Sequence, residues 1–252
     1  MATGYEDQGP LRARRALYDY QRDPVDLPGA ALAALDGIGG PGDVVVDVGT
    51  GTGVHTEWLR RDRPELRVVA VDRSPAMAAD ILADAEQLPF ADGCAAAALA
   101  MHMLYHVARI PAAVAELRRV VRPGGVAVLS TNGPGDKPEL EQLWRAVLNG
   151  LTGTDPAPLG QPHDRFGLNH GALLEAAFGQ VSLQRFDRTA IVPGPEPLLA
   201  YLGSLRDWKE QELPADVSWD AFVAAAQRYL IGVIERHGAL TLTSRTGVFV
   251  CR

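Results

Sequence analysis

Val44-Val45-Val46-Asp47-Val48-Gly49-Thr50-Gly51-Thr52-Gly53 is the stretch on which the fold of this chain turns. Its β-branched run suits a strand covered on both faces. The turn that follows carries glycine at every second position, so the backbone can bend sharply and approach a ligand with no Cβ in the way. Residues 54–61 then read as a helix, whose first N–H groups lack intrahelical partners and point toward the same spot. A nicotinamide or flavin fingerprint, Gly-x-Gly-x-x-Gly, would put its third glycine at position 54. The chain has Val54 there and Gly53 one step earlier. A phosphate-binding Gly-Lys-Ser/Thr loop is absent too, because Gly53 is followed by Val54 and His55.

Outward from that turn, strand and helix patterns alternate. Residues 66–71 form a second buried strand pattern that ends at Asp72. Residues 74–79 read as a helix with Ser74 as N-cap and Pro75 in the first turn. Residues 95–101 are nearly all alanine, and their place in the alternation makes them a strand. Residues 110–121 show an apolar stripe of Ile110, Val114, Leu117 and Val121, the mark of an amphipathic helix. Arg122-Pro123-Gly124-Gly125 reads as a turn into a strand at 126–130. This order predicts a parallel sheet with right-handed crossovers. Upstream, residues 11–19 and 27–35 are helical patterns. Downstream, helices are expected at 139–151, 171–178, 198–211 and 219–237, and strands at 181–192 and 240–251, with a loop rich in Gly, Pro and Asp over 152–165.

The glycine turn resembles that of the class I S-adenosylmethionine-dependent methyltransferases, closest to the subgroup of ubiquinone/menaquinone-biosynthesis and natural-product enzymes. The resemblance is close over residues 44–131 and looser on the flanks. It implies a Rossmann-like α/β fold: a seven-stranded, mostly parallel sheet with helices on both faces, an antiparallel C-terminal strand and helical cap insertions. One methyltransferase domain would span 1–252, with residues 1–40 as an N-terminal helical lid and 134–165 and 193–237 as caps. The implied cofactor is S-adenosyl-L-methionine. Asp47, Gly49, Thr50, Gly51 and Gly53 would line its methionine portion, Asp72 would hold the ribose hydroxyls, and Arg73 would follow beside the adenosine. Ala83-Asp84-Ala85-Glu86-Gln87-Leu88-Pro89-Phe90 matches the family's adenine segment, with Asp84 accepting from the amino group and the Ala85 amide facing the ring. Met101 would offer its carbonyl to the cofactor's amino group, and Tyr18 resembles a lid residue. Residues 118–125 match the turn before the family's fifth strand. Ala95-Ala96 departs from the Phe-Asp that usually opens the fourth strand. The chemistry of the residues agrees: a carboxylate on adjacent hydroxyls makes charge-assisted hydrogen bonds, and ligands of open α/β sheets sit beyond the C-terminal strand ends.

Methyl transfer from a sulfonium needs an in-line nucleophile, a dry pocket and in some cases a base. His102 and His106 follow the fourth strand and are the candidate general bases. Tyr105, just past the fourth strand, is a candidate acceptor contact, and Trp144, His163, Arg165, Phe166 and Trp208 are candidates to line a pocket beneath the caps. The leading expectation is an enzyme methylating an O-, N- or C-nucleophile of a small molecule in specialised metabolism. The alternatives are a macromolecular acceptor, or use of the cofactor in a non-methylating reaction such as a pericyclic step.

Composition bounds these readings. The chain has 252 residues, 47% hydrophobic and 22% charged, which suits a globular protein with a sizeable core. A net charge of -7 disfavours a nucleic-acid partner, which calls for a strongly positive face. Arg12, Arg14 and Arg15 form a basic cluster that Asp19, Asp23 and Asp26 follow closely. Cys94 and Cys251 show no metal spacing, so no metal is expected. No run approaches the ~18 apolar residues of a membrane span, and the first seven residues lack a basic-then-apolar leader. The expectation is a cytoplasmic chain with no membrane partner; the oligomeric state is not written in the sequence.

Overall fold

The computed structural model describes residues 7–252; the first six residues, part of the expected lid and of the leader reading, lie outside them. The helices are α1 (Gly9–Ala16), α2 (Leu27–Ala34), α3 (Val54–Asp62), α4 (Ile110–Val120), α5 (Pro138–Thr152), α6 (Pro162–Arg165), α7 (Gly171–Phe178), α8 (Glu196–Gly203), α9 (Arg206–Lys209) and α10 (Trp219–His237). The strands are β1 (Val44–Val48), β2 (Arg67–Asp72), β3 (Ile81–Leu82), β4 (Ala95–Met101), β5 (Val121–Asn132), β6 (Val181–Val192) and β7 (Leu240–Cys251). They form one seven-stranded sheet in the order β3-β2-β1-β4-β5-β7-β6. The pairs among β1 to β5 are parallel, and β7 runs antiparallel to β5. This is the Rossmann-like α/β architecture that the sequence implied.

β1 lies between β2 and β4, with Asp47 opposite Ala70 on one side and Leu99 on the other. Every residue of β4 is buried. Its alanines suit a central strand sandwiched between two packed layers. From Ala97 onward its side chains alternate between two cores: Ala98 and Ala100 join one, Ala97, Leu99 and Met101 the other. Position in the sheet thus overrides the poor strand propensity of alanine.

Three local expectations are corrected. Residues 74–79 are turns rather than a helix. The Ala78 N–H donates to Gly51 O (2.9 Å), the Asp80 N–H to Ala70 O (2.9 Å), and the Ala76 N–H to Ser74 Oγ (3.2 Å). Those bonds to β2 and to the glycine turn outcompete a local helix and lead the chain into β3. Residues 122–125 are not a separate turn but belong to β5. Ala95 pairs with Val121 and Ala97 with Val126, so the extra residues form a bulge. A Cβ at Gly125 would sit 2.6 Å from the Ala96 carbonyl oxygen, and only glycine lets the strands approach so closely. The helix expected over 198–211 is broken into α8 and α9 at Ser204, whose hydroxyl donates back to Tyr201 O (2.6 Å).

The chain divides into two compact units. The sheet unit comprises 26–134, 162–186 and 246–252. Its two cores cover the two faces of the sheet, one built on Val46, Val48, Leu104, Leu117 and Phe249, the other on Val45, Leu59, Leu99 and Val128. Burying each such side chain is worth about 1.5–3 kcal/mol. The helical unit comprises the chain up to Val25, 135–161 and 187–245. It has its own core, in which Leu143, Trp144 and Val147 of α5 meet Trp219, Phe222 and Leu230 of α10. A Ser218 cap on the Ala221 N–H (3.2 Å) starts α10, and Gly238, at φ 80°, ends it. Among the described residues no helix is long and apolar enough to cross a membrane, and no cluster of His, Cys, Asp or Glu could hold a metal ion.

Candidate cofactor and acceptor site

The parallel strands β1, β2, β4 and β5 end on the same side of the sheet unit, which gathers Gly49, Asp72, Met101 and Asn132 at one rim. Gly49, Gly51 and Gly53 all adopt left-handed backbone, with φ of 69°, 57° and 81°. At Gly49 the constraint is double, because a Cβ would also lie 2.7 Å from Met103 Cβ. The Gly49 and Thr50 N–H groups share the Val71 carbonyl (2.8 and 3.1 Å), which locks the turn against β2. Beneath it, the buried Asp47 carboxylate accepts from the Thr50 hydroxyl (2.9 Å) and the Thr56 hydroxyl (2.7 Å) through one oxygen. Asp47 therefore ties the glycine turn to the first turn of α3.

Asp72 closes β2 half-buried. Its Oδ2 accepts from the Gly51 N–H and its Oδ1 from the Ser74 N–H, both at 3.0 Å. The carboxylate is thus held between the glycine turn and its own following residues. A carboxylate offers about four acceptor positions, so two remain for a ligand. Arg73 is exposed next to it. In the segment after β3, Asp84 is exposed and forms a turn, accepting from the Glu86 N–H at Oδ1 (2.9 Å), while Ala85 is buried. Arg119 pins this loop: its guanidinium donates to Leu88 O (3.0 Å), Phe90 O (2.7 Å), Asp92 and Glu116. The Arg119 hydrogen bond holds the Glu116 carboxyl below its usual range.

Past β4, His102 also takes left-handed backbone (φ 53°), and its N–H donates to Ser130 O (3.0 Å) and Oγ (3.1 Å). Its Nε2 lies 3.3 Å from the Thr246 hydroxyl, which donates onward to Thr131 O at 3.0 Å. The Thr246 hydroxyl thus links the His102 ring to the backbone of β5. Tyr105 packs edge-on against both histidines, with ring centroids 4.4 Å from His106 and 6.5 Å from His102. Arg165 donates to Tyr105 O and Val107 O, each at 2.7 Å, and so fixes the segment that carries all three rings. His163 is buried on α6. Its Nδ1 and Asn132 Oδ1 are buried with no hydrogen-bond partner among the described residues.

Tyr18 and Trp144 belong to the helical unit. Trp144 is part of its core, 5.1 Å from Phe222, with Nε1–H donating to Ala157 O (3.2 Å). Tyr18 presents its ring face to the Lys137 ammonium at 5.4 Å. Phe166 is a core residue of the sheet unit, and Trp208 stacks under the Arg14 guanidinium at 4.9 Å. Sequence reasoning missed Thr56, Thr246, Asn132 and Lys137. Only Lys137 carried a signal, in the Gly135-Asp136-Lys137-Pro138 that follows β5.

Residues 46–129 match the model of a family described as "Methyltransferase domain". Malonyl-(acyl-carrier protein) O-methyltransferase of Serratia marcescens is 36% identical over 118 residues, covering 42% of this chain and 45% of that one. Demethylmenaquinone methyltransferase of Beutenbergia cavernae is 36% identical over 132 residues, 47% of this chain and 53% of that one. The chain thus spans about half the length, or less, of the curated relatives it matches. Among solved structures, phosphoethanolamine N-methyltransferase 2 of Haemonchus contortus, in complex with phosphomonomethylethanolamine and S-adenosylhomocysteine, superposes with a TM-score of 0.54. That likeness covers 99% of this chain and 58% of the other at 17% identity, and is one of fold. The matched segment is the one that builds the glycine turn, Asp72 and the β4 rim, and in it the chain is similar to methyltransferase domains.

Proposed function

We propose that the chain transfers a methyl group from S-adenosyl-L-methionine to a nucleophilic atom of a small-molecule acceptor. The observation that carries this reading is Asp72, whose two carboxylate oxygens are aimed by the Gly51 and Ser74 N–H groups and keep acceptor capacity for a vicinal diol. The residues present fit the cofactor: left-handed glycines leave the turn open, and the carboxylate is rigidly held. In this reading Gly49, Thr50, Gly51 and Gly53 line the methionine portion, with Asp47 fixing the turn from beneath. Asp72 and Arg73 take the ribose, Asp84 and Ala85 the adenine, and the Met101 carbonyl the amino group. Tyr18 is assigned to the lid. The cofactor, when bound, supplies an electrophilic methyl on a sulfonium.

His102 is assigned as the general base, with the Thr246 hydroxyl beside its Nε2 orienting the ring, and His106 as the second candidate. Tyr105, His163 and Arg165 of the sheet unit are assigned to the acceptor. The lid at 1–40 and the caps at 134–165 and 193–237 remain part of this proposal. The names of the relatives, an acyl-carrier-protein ester and a demethylmenaquinone, support an acceptor of low molecular weight, free or carried on a protein. Incubation with the cofactor and a panel of hydroxyl, amine and carboxylate acceptors, read by mass spectrometry, tests the reading. Formation of S-adenosylhomocysteine with a product heavier by one methylene supports it; cofactor binding with no turnover on any class overturns the methylation. His102→Gln should depress kcat with the cofactor Kd unchanged, and an unchanged kcat removes the base assignment.

A further inference from the structure

Between β3 and β4 the chain takes its shape from α4. Residues 83–94 form turns and an isolated bridge of Asp84 with Gln87, with neither helix nor strand ladder to fix them. Backbone polar groups in such a segment need partners from elsewhere, and side chains of α4 supply them. Arg119 does most of this. Its guanidinium has all five N–H donors matched: Nε to Glu116 Oε1 (2.6 Å), Nη1 to Phe90 O (2.7 Å) and Asp92 Oδ1 (2.8 Å), Nη2 to Leu88 O (3.0 Å) and Glu116 Oε2 (2.7 Å). Glu116 Oε2 also accepts from the Leu88 N–H (2.8 Å), so both backbone polar groups of Leu88 end on one ion pair. The Arg119 carbonyl accepts from the Gly93 N–H (2.8 Å). A guanidinium is a rigid planar fork, whereas a lysine ammonium offers fewer donors from a single point. One stiff group therefore sets the carbonyls of Leu88 and Phe90 together.

The front of the segment is tied to the start of the same helix. Glu86, whose side chain is 10% exposed, accepts from the Arg109 N–H and from Arg109 Nε, both at 2.7 Å. Those bonds hold its carboxyl below the usual range. The Glu86 N–H donates in turn to Asp84 Oδ1 (2.9 Å), and the Gln87 N–H to Asp84 O (3.0 Å). Asp84 is thus aimed by residues that α4 anchors on both sides of Ala85, which is buried between them. All of these residues belong to the sheet unit. A hydrogen bond discriminates between ligands only when its own supports hold it in place.

We propose that Arg119 and Glu86 are positioning residues for base recognition: by fixing residues 84–90 they let Asp84 and Ala85 tell adenine from a base that lacks its 6-amino group. This rests on the cofactor reading above, which assigns Asp84 and Ala85 to the adenine.

Isothermal titration of the full chain with S-adenosylhomocysteine and with S-inosylhomocysteine tests it. The second compound carries a carbonyl oxygen where adenine has its amino group, so the Asp84 carboxylate meets a donor in one and an acceptor in the other. The native chain should prefer the adenosyl compound by at least about tenfold. Arg119→Lys keeps the charge but not the fork, and Glu86→Gln keeps the shape but loosens the hold of Arg109. Each should bring the preference to within about threefold, chiefly by weakening the adenosyl compound. A residue that only stabilised the fold would weaken both ligands in parallel, so an unchanged ratio in a folded variant overturns the positioning. If Arg119→Lys does not fold, Glu86→Gln decides. A native chain that binds both compounds equally sinks base recognition by this segment and leaves the cofactor reading standing; one that binds neither sinks both.

Discussion

Replacing Asp72 by asparagine removes one charge and one acceptor while keeping the shape. In the native site Oδ2 accepts from Gly51 and Oδ1 from Ser74, each at 3.0 Å. Whichever way the new amide turns, its NH2 faces one of those N–H donors. The variant therefore loses one loop hydrogen bond to a charged acceptor, about 1.5–3 kcal/mol, and the melting temperature should fall by roughly 3–10 °C for a chain of this size. Cofactor affinity should fall further. Two ribose hydroxyls lose a charged acceptor at a similar cost each, about 3–6 kcal/mol together, or about a hundredfold to ten-thousandfold in Kd. Isothermal titration with S-adenosylhomocysteine reads the affinity, and circular dichroism confirms that the sheet persists. A folded Asp72→Asn protein binding within about threefold of the native Kd would refute the assignment of this carboxylate to the cofactor.

Three further outcomes test the surrounding geometry. Gly49→Ala meets both a left-handed φ and a methyl 2.7 Å from Met103 Cβ, so it should lower the melting temperature by several degrees and weaken cofactor binding; a native-like melt would show the turn to be more plastic. Glu116, its carboxyl held below the usual 4.5 by Arg119, stabilises the fold fully above about that pH and loses its contribution as the pH drops through its depressed native value. Glu116→Gln should therefore flatten the acid limb of a pH-stability curve, and identical limbs would remove the pair from that role. Cys251 is buried, with its thiol pushed up to about 12, whereas Cys94 is exposed, so a thiol reagent at pH 8 should titrate one cysteine before unfolding and two after. Two fast-reacting thiols would contradict the burial of β7.

The sheet was legible because its signals are local and strong. The valines of β1, the run ending at Asp72 and the alternation of β7 each carry a strand period within a few residues, and the glycine turn announces its own geometry. Residues 74–79 misled because Ser74-Pro75 is a good helix start, while the Gly51 and Ala70 carbonyls that capture Ala78 and Asp80 are remote in sequence. The bulge at Arg122–Gly125 hid for the same reason, its cause being the Ala96 carbonyl across the sheet. Thr56 and Thr246 were not legible at all. A threonine becomes a site residue only when the fold brings it to Asp47 or His102, from 9 and 144 positions away.

The partition of the chain has a consequence for how the molecule comes into being. Each unit is stitched from three separate stretches, and β7 serves both, the helical one through Arg245 and the sheet one from Thr246. Phe249 and Cys251 fill the sheet unit's core, and Leu240 and Leu242 fill the other. Neither core closes until β7 is in place, so assembly is governed by contacts between residues distant in sequence, the slow regime of folding. A nick or truncation ahead of residue 240 would strip both interiors at once.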